Sequence, residues 1–438
     1  MKKNVFQIGL LIGFGLLTAL GFGFFAFYES PNDAEDHVGD VVIWGTVSRD
    51  IMEEALIALD DVLPKGYEGT VAYKEKDERT FNEVLVDALA AGEGPDLFLL
   101  RQGDIVKHLN KIFIIPYESY TERRFKDTYI EGGEIYLSNE GVLALPFIVD
   151  PLIMFWNRDI LAREGVATTP ENWSEFFLLS PKLTKRDSSA NILLATVPFG
   201  EYRNVTNAKE IISALIMQAD NPISYRNPTT NDLTISLQTL NSGREDEPSP
   251  TEAALRYYTE FSNPVKSVYS WNRALNESRR TFLSGDLAFY FGFASEISEL
   301  RKANPNLNFD IAVLPQIKDD LTPATFGNMQ ALAVVGSTDN FAGSVRVAAL
   351  LSTNSVLAVV QEFTLLPPVT RSLLSNQQVD DIQPILYESA LISAAWLEPD
   401  REKVDTAFRD MIESISSGRL RINEAIGEAQ TELTNLLK

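Results

Sequence analysis

The order of segments between residues 41 and 100 constrains the fold more than any other feature of the sequence. Val41–Val47 (VVIWGTV) has the β-branched and aromatic composition of a strand. Apolar residues then recur on one helical face, at Ile51, Ala55, Leu56, Leu59 and Leu63. The chain continues with a second strand (TVAYKE), a second helix (DERTFNEVLVDALAAGEGPD) and a short buried strand (LFLL). This alternation predicts a parallel sheet with crossover helices.

The rest of the chain carries further helical and strand patterns. Residues 207–218, 251–261, 276–283, 294–303 and 341–351 have helical periodicity, and the C-terminal part reads as two helices. Two apolar runs, FDIAVLP and MQALAVV, predict buried strands. The whole is therefore expected to be an α/β protein.

Residues 1–30 contain a long apolar run. Val5–Tyr28 follows Lys2 and Lys3, and it spans about 36 Å as a helix, which exceeds the bilayer core of about 30 Å. The run ends in FFAFY without an Ala-x-Ala pattern, which favours an uncleaved anchor over the alternative, a cleaved signal peptide. We therefore predict a transmembrane helix over residues 1–29, with the lysines in the cytoplasm, and a polar linker over residues 30–40.

Composition limits the kinds of function that this chain can have. Its 438 residues are too many for one ordinary core and predict two domains or lobes. A formal charge of −23 repels polyanions, so we expect no nucleic-acid partner. The absence of cysteine excludes disulfides, thiolate chemistry and a lipid-modified N-terminal cysteine. His37 and His108 lie in no recognisable motif, and we predict neither a metal nor a cofactor.

One stretch combines the composition of a core strand with residues that interrupt strands. Leu143–Leu161 reads LALPFIVDPLIMFWNRDIL, and Asp150 lies between Pro146 and Pro151. Prolines suit a segment that does not pair along both edges. Asp150 could bind a ligand, or it could cap a turn before Pro151. With Glu296 it could also form the carboxylate pair of a glycoside hydrolase, although the chain has 61 acidic side chains and many such pairs.

The tryptophans differ in their surroundings. Trp156 lies within the predicted strand and Trp173 on the apolar face of a helix, so both are expected in the core. Trp271 (SVYSWNRAL) and Trp396 (AAWLEPD) have polar neighbours. Each of these two rings could stack on the C–H face of a sugar, or it could cover the end of a helix.

The order of these segments resembles the extracellular solute-binding proteins of ABC importers, most closely family 1, which includes maltose- and other oligosaccharide-binding proteins. VVIWGTVSRD resembles the family's first strand and ligand loop, and AAGEGPDLFLLRQGD its helix–Gly-Pro-Asp–strand segment. LALPFIVDPLIMFWNRDILAREGV and TPENWSEF resemble its first crossover, asparagine-ended strand and Pro-x-x-Trp helix. FLSGDLAFYFGFASEISEL and FDIAVLPQ resemble its Phe-x-x-Gly-x-x-Ala segment and the strand that follows, and FRDMIESISSGRLRINEAIGEAQTEL resembles its C-terminal end. Together these stretches span most of residues 41–433.

The resemblance implies an α/β, two-lobed, periplasmic-binding-protein-like (type II) fold with hinge crossovers. Its two lobes would be joined by three crossing segments and would close on a solute. We expect the first crossing at Pro146–Pro151, the second near Val313–Gln316 and the third near Phe363–Pro368. Lobe one would comprise residues 40–148 plus 316–364, and lobe two residues 149–315 plus 365–438.

The same correspondence implies a ligand site in the cleft between the lobes. Asp150 would accept hydrogen bonds from sugar hydroxyls, and Arg101 would lie at the carboxyl edge of the sheet, where open α/β sheets bind ligands. Trp271 and Trp396 would supply stacking platforms. The expected ligand-binding residues are Thr46, Ser48, Arg101, Gln102, Asp150, Tyr202, Trp271, Phe293, Ser295, Glu296, Phe326, Gly327, Asn328 and Trp396.

The function that the resemblance implies is binding without catalysis. We expect a monomeric, extracytoplasmic protein, tethered by its N-terminal helix, that captures a sugar or oligosaccharide and delivers it to ABC transporter permease subunits. Bacterial members are usually released or anchored by a lipidated cysteine, so the predicted helix would replace the lipid here. Two alternatives remain at this stage: a ligand sensor for a membrane kinase or chemoreceptor, and a tethered glycoside hydrolase.

Overall fold

The computed structural model describes residues 38–63, 67–227, 230, 232–238, 248–318, 322–376 and 381–438. The predicted transmembrane helix over residues 1–29 and almost all of the linker lie outside the described residues. Within the described ranges, no single helix is long and apolar enough to cross a membrane. Phe341–Leu351 and Asn354–Thr364 reach that length and apolarity only as a pair, bent by 59°.

The described residues form a mixed α/β fold. Its strands are β1 (Val41–Gly45), β2 (Val71–Glu75), β3 (Leu97–Arg101), β4 (Ile115–Pro116), β5 (Gly141–Val142), β6 (Leu145–Asn157), β7 (Lys185–Arg186), β8 (Ile192–Leu194), β9 (Ser224–Arg226), β10 (Leu233–Ile235), β11 (Phe289–Phe293), β12 (Phe309–Ala312), β13 (Thr325–Val334) and β14 (Ser393–Ala394). Its α-helices are α1 (Arg49–Val62), α2 (Phe81–Ala91), α3 (Ile105–His108), α4 (Glu122–Thr128), α5 (Arg158–Arg163), α6 (Phe176–Leu183), α7 (Ala208–Gln218), α8 (Pro250–Glu260), α9 (Ser278–Leu283), α10 (Glu296–Ala303), α11 (Phe341–Leu351), α12 (Asn354–Thr364), α13 (Arg371–Leu374), α14 (Gln383–Leu391), α15 (Arg401–Ser416) and α16 (Ile422–Asn435).

The predicted parallel unit at the front of the chain is confirmed. Strand β1 pairs in parallel with β2 on one edge and with β3 on the other. Helix α1 buries Met52, Ala55 and Leu59, which share the helical face that the sequence indicated. Helix α2 ends at Gly92, whose φ of 73° lies in the left-handed region where a residue without a Cβ is favoured.

Strand β13 completes the sheet of lobe one. It pairs antiparallel with β3 on one edge and with the first half of β6 on the other, which gives the order β6–β13–β3–β1–β2. The register with β6 shifts between Gln330 and Ala331, so Phe147 has no partner beside Pro146. This bulge accommodates the proline, because proline has no backbone N–H to donate to a neighbouring strand.

The second half of β6 belongs to lobe two. There it pairs antiparallel with β11 on one edge and with β12 on the other. Around this sheet lies a cluster of aromatic rings; Trp173 lies 5.6 Å from Phe291, and Phe199 stacks on Phe291 at 5.0 Å between ring centres. Trp156 and Trp173 thus lie at the sheet and its core, as expected, although Trp156 is only partly buried.

Three crossing strands, β6, β13 and β14, lie side by side between the lobes. Asp150 of β6 is opposite Asn328 of β13, and Pro151 is opposite Gly327. On its other edge, Thr325 of β13 pairs with Ser393 of β14. The chain therefore passes between the lobes in one narrow band of extended backbone.

The second and third passages differ from the positions that we expected. Residues near Val313–Gln316 are still bonded within lobe two, since Trp173 N–H donates to Gln316 O at 3.1 Å and Gln218 Nε2 to Pro315 O at 3.1 Å. The chain reaches lobe one only at the start of β13.

The segment after α12 also remains with lobe one. Pro367 and Pro368 are buried, and Ile130 N–H donates to Val369 O at 3.0 Å. Helix α14 packs on β6, whereas α15 and α16 pack on α8. The two prolines end α12 instead of crossing, and the third passage lies at β14.

Candidate functional site

The carboxyl edge of the lobe-one sheet brings together three of the expected ligand residues. Arg101 ends β3, and its Nη2 donates to Thr46 Oγ1 at 2.9 Å. Gln102 Oε1 accepts from the backbone N–H of Met329 at 2.8 Å, which ties the edge to β13. Ser48 is exposed at the N-cap position of α1, where its side chain makes no capping hydrogen bond.

Buried side chains behind this edge hold its turn in place. Asn82 Nδ2 donates to Asp104 Oδ1 at 3.0 Å, and Asn82 Oδ1 lies 2.7 Å from His108 Nε2. Burial lowers the pKa of His108 to about 4, so the ring is neutral at neutral pH. No local sequence pattern indicated a role for Asn82 or Asp104. Their contacts assign His108 a structural role.

Seven expected residues cluster where the crossing strands meet lobe two. Ser295 N–H donates to Asp150 Oδ1 at 3.0 Å, and burial raises the pKa of that carboxyl group to about 7. Phe293 packs edge-on against Phe326, with 6.5 Å between ring centres. The cluster consists of Asp150, Phe293, Ser295, Glu296, Phe326, Gly327 and Asn328.

The Glu296 carboxylate is already occupied within lobe two. It accepts from the backbone N–H of Phe293 at 2.9 Å, from Tyr290 Oη at 2.7 Å and from Arg279 Nε at 3.0 Å. These bonds fix the start of α10. They give Glu296 a structural role that requires no acid–base chemistry. Ser295 beside it lines a cavity of about 410 Å³ between α10 of lobe two and α12 and α14 of lobe one.

Tyr202 lies on lobe two at a second cavity. Its hydroxyl donates to Asp405 Oδ1 at 2.6 Å, across to α15. The cavity has a volume of about 300 Å³ and is lined mainly by polar and charged side chains, among them Arg203, Lys209 and Arg409.

Both tryptophans expected to stack on a sugar are buried: Trp271 is a core residue, and Trp396 lines a cavity of about 400 Å³. Trp271 has no exposed surface, and its Nε1 donates to Asn204 Oδ1 at 3.2 Å. Trp396 is 2% exposed, stacks on Phe408 at 5.9 Å between ring centres, and donates to Ser213 Oγ at 3.2 Å. A partner for the indole N–H allows such burial. The polar neighbours that suggested exposure also face inward, since Ser270 Oγ accepts from Thr196 N–H at 2.9 Å.

Charged contacts between the lobes were missed by sequence reasoning. Glu398, which follows the third crossing, is buried with Lys209 of α7 at 2.7 Å. Lobe one covers this pair, because a Cβ atom on Gly103 would lie 3.3 Å from Glu398 Oε1. Burial acts to lower the pKa of Lys209, but the carboxylates of Glu398 and Glu210 outweigh it and raise that pKa. The two residues are 189 positions apart, so no local pattern announces the pair.

Further ion pairs join the lobes at the rim of the same contact. Arg401 Nη1 of α15 lies 3.7 Å from Glu78 Oε1, and Lys107 Nζ lies 3.9 Å from Asp400 Oδ2. Among the described residues, no group of three or more His, Asp or Glu side chains is arranged to hold a metal ion. The contact between the lobes thus includes ion pairs at its rim around the buried Lys209–Glu398 pair.

The chain matches a protein family over most of its length. Residues 66–383, more than half of the chain, match the family model of the bacterial extracellular solute-binding proteins. The chain belongs to this family. Membership places this solute-binding protein among extracytoplasmic proteins that bind solutes. The comparison with curated proteins gives no match.

Solved structures share the two-lobed fold of this solute-binding protein. A cyclo/maltodextrin-binding protein complexed with maltotetraose superposes with a TM-score of 0.72 at 13% identity, covering 91% of this chain and 97% of the other. The GacH receptor of Streptomyces glaucescens, studied unliganded and with acarbose, gives 0.66 at 14% identity over 91% and 98%. The maltose/maltodextrin-binding domain MalE from Bdellovibrio bacteriovorus, bound to maltotriose, gives 0.64 at 13% identity over 90% and 99%. At such identities the likeness establishes the fold alone.

Proposed function

We propose that this solute-binding protein captures a carbohydrate-like polar solute between its lobes and delivers it to the permease of an ABC transporter. The observation that carries the proposal is the band of crossing strands, in which Asp150 lies opposite Asn328 and Pro151 opposite Gly327. Extended strands that lie side by side can twist together, so the lobes can rotate about them without breaking either core. The oligosaccharides bound by the fold's neighbours support a sugar as the solute.

The residues that would contact the solute lie on both sides of this band. Thr46, Arg101 and Gln102 stand at the edge of the lobe-one sheet, and Tyr202 stands beside the 300 Å³ cavity of lobe two. Their amide, guanidinium and hydroxyl groups suit a solute with many hydroxyls. Contacts that the second lobe makes with the solute would favour the closed form. The shift equals the difference in the solute's binding free energy between the open and closed forms.

A ligand screen tests the proposal. The full-length chain, purified in detergent, is incubated with maltose, maltotriose and cyclodextrins, and separately with peptides and polyamines. A solute that binds only the folded protein raises its melting temperature. We expect a rise with a sugar, and a smaller rise in the variants Arg101→Gln and Tyr202→Phe. A rise with a peptide or polyamine and with no sugar would contradict the carbohydrate assignment.

We further propose that the apolar segment Val5–Tyr28 tethers the protein to the membrane on its extracytoplasmic side. The test compares the full chain with a variant in which charged residues interrupt this segment. We expect the full chain in the membrane fraction and the variant in the soluble fraction. Equal release of both from the membrane would refute the tether and leave the binding function untouched.

A further inference from the structure

One carboxylate of the protein lies between two arginines, one from each lobe. Glu78 Oε1 is 2.5 Å from Arg101 Nη1 of lobe one and 3.7 Å from Arg401 Nη1 of lobe two. Arg101 is held in place, because its side chain is only 10% exposed and its Nη2 donates to Thr46. Arg401 is held against lobe one, since a Cβ atom on Gly103 would lie 3.4 Å from its Cδ. The two guanidinium groups form a receptor for a carboxylate, in which Arg101 is nearly buried and Arg401 is 37% exposed.

Glu78 itself is loosely placed. Its side chain is 61% exposed, and it lies on the exposed turn between β2 and α2. Among the described residues, its carboxylate contacts no charged group other than these two guanidinium groups. The contact between Glu78 and Arg401 joins two exposed side chains and adds little to stability, because water screens the charges. Arg101 is nearly buried, so Glu78 leaves it at small cost only in exchange for another carboxylate.

Arg401 of the receptor lies about one helical turn from Asp405, which lines the cavity beside Tyr202. On α15, Arg401, Asp405 and Arg409 recur every four residues and so share one helical face. Asp405 and Arg409 line the 300 Å³ cavity, which places the receptor within about 12 Å of the cavity's far end along the helix. The cavity also receives Arg203 and Lys209. Two acidic side chains, Glu210 and Asp405, line it as well, and Arg203 and Lys209 pair with Glu413 and Glu398.

We propose that the solute carries a carboxylate that replaces Glu78 between Arg101 and Arg401. The solute class is then an acidic sugar of the uronate type, with its ring in the cavity beside Tyr202 and its carboxylate on the two arginines. Exchange of one carboxylate for another leaves both guanidinium groups paired, and a planar guanidinium matches a carboxylate with two parallel hydrogen bonds. This inference rests on the proposed function and names the solute class of that same site.

The test uses pairs of sugars that differ in the carboxylate alone. The full-length chain in detergent is titrated calorimetrically with glucuronate and glucose, galacturonate and galactose, and trigalacturonate and its methyl ester. We expect the acidic member of at least one pair to bind more tightly than its neutral partner. Arg101→Gln should weaken binding of that member by about tenfold or more, because it loses a hydrogen-bonded charge pair. Binding of the neutral partner should weaken by a smaller factor, since it loses a hydrogen bond from Arg101 and no charge pair.

The variant Glu78→Gln gives the sharper result. It removes the internal competitor, so the acidic sugar should bind up to about fivefold more tightly. The matched control is Asp77→Asn on the same turn, whose carboxylate pairs with Arg79 and with neither arginine of the receptor. Asp77→Asn should leave the affinity unchanged. Because both side chains are exposed, neither change threatens folding, and circular dichroism melting of each variant confirms it.

The outcomes separate this inference from the proposed function. A neutral sugar that binds while its acidic partner does not would refute the inference and uphold the function. Equal effects of Glu78→Gln and Asp77→Asn on an acidic sugar would also refute it. If no acidic sugar, neutral sugar or maltooligosaccharide binds, both the inference and the carbohydrate function are wrong.

Discussion

The backbone N–H of Ser295 donates a hydrogen bond to the Asp150 carboxylate at 3.0 Å, which fastens the segment after β11 to the strand that passes between the lobes. Burial raises the pKa of Asp150 from 3.8 to about 7. The folded protein therefore holds this proton more tightly than the unfolded chain does. Its contribution to stability is complete below pH 3.8 and is lost as the pH rises through 7.

The variant Asp150→Asn tests this relationship. The amide keeps an oxygen for Ser295 and does not titrate. We expect the wild-type protein to lose up to about 4 kcal/mol of unfolding free energy relative to the variant between pH 4 and pH 8. Denaturant unfolding of both proteins at several pH values measures the difference. Parallel pH profiles for the two proteins would contradict the burial of an ionisable carboxyl group.

Strands β13 and β14 pack so closely that a substitution in one should be rescued by a substitution in the other. A Cβ atom on Gly327 would lie 2.7 Å from Ser393 Cβ and 2.9 Å from Ser393 Oγ. We expect Gly327→Ala to destabilise the protein by about 1–3 kcal/mol through overpacking. Ser393→Gly removes both clashing atoms, so the double variant should recover most of the loss in a thermal melt. Simple addition of the two single effects would refute direct contact.

A large side chain at Gly103 should hold the lobes apart. Gly103 faces Glu398 and Arg401 across the contact between the lobes, and a leucine has no space there. We expect Gly103→Leu to increase the radius of gyration in small-angle X-ray scattering and to weaken solute binding. Gly103→Ala adds one atom and should have a smaller effect. An unchanged scattering profile for the leucine variant would show that this contact does not control closure.

Because the Lys209–Glu398 pair is buried, removing one of its charges should cost more stability than removing both. Lys209→Met leaves Glu398 buried without its cation, and we expect a loss of about 3–5 kcal/mol in denaturant unfolding. The double variant Lys209→Met/Glu398→Met should lose less than the single one, because no unpaired charge remains. The matched control is Lys185→Met, whose pair with Glu164 lies at the surface and should contribute far less than the buried pair. Similar losses at positions 209 and 185 would contradict the prediction.

Burial of Trp271 predicts an effect on stability and none on binding. We expect Trp271→Phe to cost about 2 kcal/mol, because it loses ring volume and the hydrogen bond to Asn204. Calorimetry at a temperature where the variant is folded should give the wild-type affinity. If Trp271→Phe lowered the affinity for the solute and left the melting temperature unchanged, the ring would contact the solute and the prediction would be wrong.

Local patterns were sufficient to predict the front of lobe one. Helix α1 and strands β1 to β3 follow from apolar spacing within about 60 residues, and the structure has them where the spacing placed them. The strand around Asp150 was also legible, since its apolar run is continuous apart from two prolines. Each of these features depends on neighbours in sequence.

Features that depend on distant parts of the chain could not be read in this way. The second and third passages between the lobes are set by pairing of β13 with β6 and β14. The Lys209–Glu398 pair joins segments that no sequence pattern connects. Polar neighbours of Trp271 indicated exposure, but tertiary hydrogen bonds satisfy them inside the protein.

The insertion of β13 between β6 and β3 has a consequence for synthesis of the chain. Gln102 and Met329, which bond at this junction, are 227 residues apart. A nascent chain that has not yet reached Thr325 contains most of lobe two, but in lobe one it leaves two strand edges with bare amides and carbonyls. Such edges recruit strands from other molecules. Premature termination before this residue should therefore yield aggregates instead of a half-size binding protein.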